Sequence, residues 1–318
     1  MTAFNTISQI LPPGLVLADE PMAPHTSFKI GGPAEVYVTP QNTLQLATVW
    51  EACLKAGYPI TVLGGGNNVL VSDAGVKGVV ISTGKMNDIY IIGSVVIAGS
   101  GTKLCKLADA ACQAGLGGLE FAHGIPGTVG GAVYMNAGAY GFETKDVCKG
   151  VTVLLPGGET VCYEKDALKL GYRTSRFHNE AAIITEASFQ LTPKSPDEIR
   201  NKMNELMTKR RSTQPINKKS AGSTFKRPNM PDKYAARLID ESGLKGFTIG
   251  GAQVSAKHAG FVINTGSATA ADVLALMKAV REKVYADSGI LLEPEVQMIG
   301  FWEGCEGLRT SNKELPCT

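Results

Sequence analysis

GLEFAHGIPGTVGGAVYMNAGAYG, residues Gly118 to Gly141, is the stretch on which the fold of this chain turns. It is glycine-rich and almost uncharged, with Glu120 its one acidic residue and His123 its one candidate cation. A packed core has no use for so many glycines, because each weakens the strand or helix that contains it. Glycine serves where a backbone turns sharply or approaches a ligand closely, and successive free N–H groups in such turns form concavities that bind anions. The stretch therefore reads as a loop that holds a phosphorylated cofactor with its main chain.

A second stretch, VLGGGNNVLVSD (Val62 to Asp73), has the same character: Gly64-Gly65-Gly66 and then Asn67-Asn68 between apolar runs. Asn tolerates left-handed backbone and bonds locally. A strand–turn–strand hairpin is the plainer reading and stays open for this stretch alone. Two such loops in one chain favour a diphosphate-bearing ligand that spans both. Neither is a common nucleotide loop. No glycine begins a GxxxxGK[ST] frame, as a Walker loop requires. The dinucleotide fingerprint GxGxxG fails at Gly64-Gly65-Gly66, where its last position falls on Val69, and at Gly99-Ser100-Gly101, where it falls on Leu104.

The surrounding composition bounds the answer. With 318 residues, 44% of them hydrophobic, the chain is long enough for two or three packed lobes. A net charge of +2 gives no nucleic-acid footprint. No apolar run is long enough to span a membrane, and the N-terminus lacks the basic start and small-residue cleavage site of a signal peptide. Seven scattered cysteines without a CxxC pair read as free thiols of a reducing cytoplasm, and His25, His123, His178 and His258 show no metal spacing.

Along the chain, HTSFKIGGPAEVYVTP reads as strands around a Gly31-Gly32-Pro33 turn, followed by a helix capped by Thr43 and ended at Gly57. Strands are expected at Pro59–Leu63, Val69–Ser72, Gly78–Ser82 and Ile89–Ala98, and a helix from Lys103 to Ala114. Pro156-Gly157-Gly158 reads as a hairpin turn, and Ser195 caps a helix with Pro196 at its first position. The basic, proline-containing segment Arg210 to Ser223 marks a domain boundary. Beyond it come a helix at Tyr234–Ser242, a strand at Gly260–Asn264, an amphipathic helix at Thr269–Ser288 with an acidic capping box from Thr269 and Asp272, a strand at Leu291–Gly300, and a loosely held tail after Trp302.

Three short segments carry chemistry. GYRTSRFH (Gly171 to His178) offers Arg173 and Arg176; an Arg in a neutral neighbourhood clamps a carboxylate with its fork, although a surface ion pair is the commoner use. SAGSTFKRP (Ser220 to Pro228) offers Ser223 as a proton donor and Lys226 and Arg227, with Arg211, as phosphate binders. No GxSxG elbow frames Ser223 as a nucleophile. LLEPEVQ places Glu293 and Glu295 two apart in an apolar strand, sharing one face apart from the disturbance of Pro294; such an acid either lies at an exposed edge or points into a site with a perturbed pKa.

FKIGGPA, VLGGGNNVLVSD, GIPGTVGGAVYMNAGAYG, YRTSRFH, GSTFKRP and LEPEVQMIG, in this order over residues 24 to 300, closely resemble the UDP-N-acetylenolpyruvoylglucosamine reductase (MurB) family. The resemblance implies an α+β fold: an FAD-binding domain of the vanillyl-alcohol-oxidase (PCMH) type over residues 24–193, in two subdomains split near residue 82, then a smaller C-terminal α+β substrate-binding domain over 208–300 and a tail over 301–318. It implies that Gly64, Gly65, Gly66, Asn67 and Asn68, with Ile125, Pro126, Gly127, Gly130 and Gly131, wrap the pyrophosphate of a non-covalently held FAD, and that Asn136 and Gly138 lie near the flavin. Lys226, Arg227 and Arg211 would bind the UDP-sugar. The implied reaction passes a hydride from NADPH to FAD and then to an enolpyruvyl group, giving UDP-N-acetylmuramate for peptidoglycan. Arg173 would hold the carboxylate, Glu295 support the enolic form, and Ser223 donate the proton. A monomeric cytoplasmic enzyme is expected.

Two features bear on subtype. The interval from Arg173 to Ser223 is short, which resembles the family branch without the inserted tyrosine loop, so another element must cover the substrate. The family often has EVR where this chain has Glu295-Val296-Gln297, so a positive charge expected near the flavin is missing. Two competing readings remain from the residues. One is an alcohol or sugar oxidase of the same fold; several of these attach flavin through His or Cys, and the Gly64–Asn68 loop contains neither. The other is a flavin-binding module without catalysis, against which the joint presence of Arg173, Ser223 and Glu295 argues.

Overall fold

The computed structural model describes residues 2–303, 305 and 308; the rest of the expected tail, with Cys317, lies outside the described residues. Among these, three lobes follow one another along the chain. The first is a four-stranded sheet in the order Val16–Pro21, Pro33–Val38, Val76–Ser82, Ile60–Leu63, antiparallel at its first pair and parallel beyond. The helix Thr43–Ala56 packs on it through Leu46, Val49, Trp50 and Cys53, against Val36, Val38, Ile60, Val79 and Ile81. Its cap is Asn42, whose side chain accepts from the N–H of Gln45 at 2.9 Å, and Thr43 is its first helical residue. Two adjacent residues are both good caps, and the one with extended backbone takes the role. Gly57, at φ +70°, ends the helix in the left-handed conformation that glycine adopts without steric cost.

The second lobe is a five-stranded antiparallel sheet in the order Thr160–Glu164, Cys148–Leu154, Ile183–Gln190, Val95–Gly99, Ile89–Ile92. The outer pair forms the Pro156-Gly157-Gly158 hairpin. The helix Leu104–Gln113 buries Leu104, Leu107, Ala108, Ala111 and Cys112 in this core. The helix Pro196–Thr213 adds Ile199 and Met203. Ser195 stands at its cap position but makes no side-chain cap bond; Pro at the first helical position already removes one N–H that needs a partner.

The third lobe joins the helix Ala235–Glu241, a small sheet of Thr248–Ile249, Ala252–Val254 and Val262–Asn264, and the helix Ala270–Ser288. Val273, Leu276, Met277, Val280 and Val284 form its buried stripe, and Phe28, Ile30 and Leu70 of the first lobe belong to the same core. The capping box of Thr269 and Asp272 is present in both directions. Beyond this lobe the expected ten-residue strand is regular only over Gln297–Ile299. Pro294 has no N–H to give a ladder, so the chain there makes a single bridge, to Phe225. Gln297–Ile299 does not pair within its own lobe. It pairs in parallel with Val69–Val71, returning the chain to the glycine-rich loop of the first lobe. No helix among the described residues is long and apolar enough to cross a membrane.

Candidate active site

A cavity of about 840 Å³ opens where the three lobes meet. Both glycine-rich loops line it: Gly64 through Asn68 on one side, and Ile125, Pro126, Gly127, Gly130 and Gly131 on the other. The flanking strands explain why Val62–Asp73 is no hairpin. Ile60–Leu63 pairs with Val76–Ser82 and Val69–Val71 with Gln297–Ile299, so the intervening loop spans two sheets. The glycines are dictated by contact. A Cβ on Gly64 would stand 2.6 Å from Thr128 Oγ1 of the facing loop, and one on Gly66, at φ +63°, would stand 2.1 Å from the carbonyl oxygen of His25. The second loop is not irregular throughout: Val129–Tyr134 is a short helix, with Val129 and Val133 buried in the second core.

The walls suit the group that the loops suggest. Ser100 Oγ, Thr128 Oγ1 and Gln214 Oε1 line the cavity, are buried, and have no hydrogen-bond partner within the protein. Buried polar atoms are nearly always satisfied, so three together at this wall indicate a polar ligand. Apolar Leu104, Ile125, Ile183 and Ile184 stand among them, which fits a ligand with a flat aromatic part and a polar phosphate part, as FAD has. Among these, Thr128, Ser100 and Gln214 were not singled out by sequence reasoning, which sees hydroxyls and amides everywhere and cannot tell which lack partners.

Arg173, Ser223 and Glu295 all line the same cavity. Arg173 Nε donates to Glu295 Oε1 at 2.5 Å. Ser223 lies in an extended segment held on both sides: its backbone bridges Phe261, Thr224 N donates to Gly260 O at 2.8 Å, and Glu295 N donates to Thr224 O at 2.9 Å. The serine and the glutamate therefore sit on neighbouring backbones. Burial raises the Glu295 carboxyl above the ordinary carboxylate range, against the opposing pull of Arg173 and Lys226. Asn68 Nδ2 (3.1 Å) and Gln297 Nε2 (3.0 Å) both donate to the Glu295 carbonyl. Gln297 thus fixes the backbone of Glu295 where the family often has an Arg. His178 also lines the cavity, and burial lowers its pKa, so it adds no charge at neutral pH.

Other candidates are placed differently. Gly138 lines the cavity. Asn136 does not; it is fully buried, with its amide turned to Gly171 and Glu143. Lys226, Arg227 and Arg211 do not line it either: Lys226 pairs with Glu293 at 2.5 Å and Arg227 lies over the Tyr234 ring. The cation that lines the cavity from this region is Arg210, whose pKa burial lowers. Its position was readable: it stands two helical turns after Met203, which faces the second core.

Comparison with known proteins gives this arrangement its relatives. A family model described as UDP-N-acetylenolpyruvoylglucosamine reductase, C-terminal domain, matches residues 214–299, and one described as FAD binding domain matches residues 34–163. The UDP-N-acetylenolpyruvoylglucosamine reductase of Agathobacter rectalis is 46% identical over 94% of this chain and 98% of its own length. That of Syntrophomonas wolfei is 44% identical over 93% and 99%. The crystal structure of the Thermus caldophilus enzyme superposes with a TM-score of 0.76 at 36% identity, covering 89% of this chain and 98% of that one. The fold is accordingly a PCMH-type FAD-binding domain with a reductase C-terminal domain, and the oxidase and non-catalytic readings fall away. The chain belongs to the UDP-N-acetylenolpyruvoylglucosamine reductase family, FAD-dependent oxidoreductases of peptidoglycan precursor synthesis.

Proposed function

We propose that this chain reduces UDP-N-acetylglucosamine-enolpyruvate to UDP-N-acetylmuramate with NADPH as electron donor, and that Arg173, Glu295 and Ser223 are its catalytic residues. The reading divides the chain at the boundaries given above, residues 24–193 for FAD and 208–300 for substrate. Bound FAD supplies the hydride chemistry. Addition of hydride to the enolpyruvyl double bond breaks its π bond and leaves an electron pair on the carbon beside the carboxylate. That charge must be held as it develops. The Arg173 guanidinium takes the carboxylate with its remaining N–H groups. Burial raises the Glu295 carboxyl toward its protonated form, in which the oxygen not bound to Arg173 would give a hydrogen bond to the enolic form. Ser223 gives its hydroxyl proton to the carbon and recovers one from water; a carbanion is basic enough to take it.

The observation that carries this reading is the convergence of these three side chains, from three separated segments, on the cavity that the two glycine-rich loops enclose. Gly64–Asn68, Ile125–Gly131 and Gly138 then hold FAD without a covalent bond, with Arg210 as a further cation on the cavity wall. Lys226, Arg227 and Arg211 lie outside the cavity wall, so their part in binding the UDP portion requires the substrate to extend past it. The test is to reduce the purified yellow protein anaerobically with NADPH, then add UDP-N-acetylglucosamine-enolpyruvate and follow the flavin absorbance. Rapid return of the oxidised spectrum is expected. Bleaching without recovery would name a different acceptor, and no bleaching a different donor.

A further inference from the structure

The cavity wall bears Arg173 on a turn of unusual conformation. Arg173 is at φ +54°, in the left-handed region that side-chain-bearing residues seldom occupy. The turn around it is tight: Gly171 N donates to Thr174 O at 3.0 Å and Thr174 N to Gly171 O at 3.3 Å. Left-handed backbone at a non-glycine residue persists only where its surroundings hold it, so the question is what holds this one.

We infer that Asn136 is a positioning residue for Arg173, its carboxamide fixing the turn from which the guanidinium reaches Glu295 and the substrate carboxylate. Asn136 Nδ2 donates to the Gly171 carbonyl at 2.9 Å and to Glu143 Oε2 at 3.0 Å, and its Oδ1 accepts from Lys145 N at 2.9 Å. Every polar atom of the amide has a protein partner, and the residue is 0% exposed. None of it is left for a ligand. A second staple acts on the other side of Arg173: Ser175 Oγ donates to the Tyr134 carbonyl at 2.8 Å. Both staples end on residues 134–136, at the exit of the short helix Val129–Tyr134 that contains Gly130 and Gly131. The segment that shapes the cofactor loop therefore also sets where Arg173 stands.

Asn is the side chain this position requires. Its own φ is +42°, which Asn tolerates better than most residues. It also has two N–H donors for two acceptors on different segments, one of them a carboxylate. Asp would offer no donor and would set a second negative charge against Glu143. Glycine would accept the backbone and abandon all three bonds.

The inference rests on Arg173 clamping the carboxylate, and its test separates the two. In the FAD-loaded enzyme, the dissociation constant for UDP-N-acetylglucosamine-enolpyruvate is measured by calorimetry, and the single-turnover rate of reoxidation by it is followed after reduction. These are compared for Asn136→Gly, Arg173→Ala and the double variant. Asn136→Gly is expected to weaken binding and slow reoxidation by about tenfold or more, since a displacement of the order of 1 Å is enough for that. In the Arg173→Ala background it is expected to change either quantity by less than about twofold, the non-additivity of residues acting as one unit. Equal losses in both backgrounds, or no loss in the parent enzyme, would overturn the inference while leaving Arg173 in its role. Near-normal behaviour of Arg173→Ala itself would remove the clamp, and this inference with it. Should Asn136→Gly fail to fold, Asn136→Asp, which keeps the volume and the acceptor for Lys145 N, takes its place in the same cycle.

Discussion

Glu293 and Glu295 stand two residues apart and have opposite surroundings. The Glu293 side chain is 68% exposed and pairs with Lys226, whereas that of Glu295 is 10% exposed and pairs with Arg173. Strand alternation would have put both on one face; the single bridge at Pro294 breaks that rule and leaves only the second acid in the cavity. Ser223, on the backbone next to it, is expected to act as proton donor. Ser223→Ala should slow reoxidation by the enolpyruvyl substrate by about 10²- to 10⁴-fold, the usual weight of a positioned proton donor. Stopped-flow traces of the two half-reactions check this. If reduction by NADPH slows as much as reoxidation, Ser223 is not the donor. At this scale the sequence singled out Arg173, Ser223 and the candidate cofactor-loop glycines by residue type, and all of them line the cavity. It was silent where the role depends on partners: Asn136 looks like a ligand residue in a glycine-rich loop, and only its hydrogen bonds show it facing inward.

The helices were the most legible elements, because a stripe such as Val273, Leu276, Met277, Val280 and Val284 has a single period and needs no distant information. Strand pairing was the least legible. Nothing near Val69–Val71 announces that its partner is Gln297–Ile299; the bond from Asn68 to the Glu295 carbonyl, beside that pairing, links residues 227 positions apart. The cap of Ala270–Ser288 permits a test of its own. Asp272 accepts from Thr269 N at 3.0 Å and Gly251 N at 3.1 Å, and these bonds hold its carboxyl below the ordinary value of 3.8. A carboxyl lowered by folding contributes stability that is fully present above the ordinary value and is lost as pH falls through the folded one. Asp272→Asn keeps an acceptor oxygen but loses the charge, so it should cost about 0.3–1 kcal/mol at pH 7, the weight of an exposed charge in a helix's first turn. The gap should close as the medium is acidified below the ordinary Asp range. Urea midpoints of both proteins across that range decide it, and a gap independent of pH would refute the assignment.

The lobes are joined by polar bonds as well as by a shared core. Asp73, at the end of the Val62–Asp73 stretch, accepts from Ala270 N and Ala271 N, both at 2.9 Å, and so places a carboxylate at the start of the long helix of the third lobe. Ser27 Oγ donates to the Ser220 carbonyl at 2.7 Å and Asn264 Nδ2 to that of Phe28 at 3.0 Å. Asp73→Ala should lower stability by about 1–2 kcal/mol, seen as a fall of about 2–3 °C in the thermal midpoint; an unchanged midpoint would show that these bonds do not couple the lobes. The return of Gln297–Ile299 to Val69–Val71 has a further consequence, one of timing. A growing chain folds from its N-terminus while still on the ribosome, and the first lobe is complete in sequence long before residue 297 is made. Asn68 and Glu295 cannot meet until translation has passed both. The Gly64–Asn68 loop thus reaches its final geometry only after translation has passed residue 299.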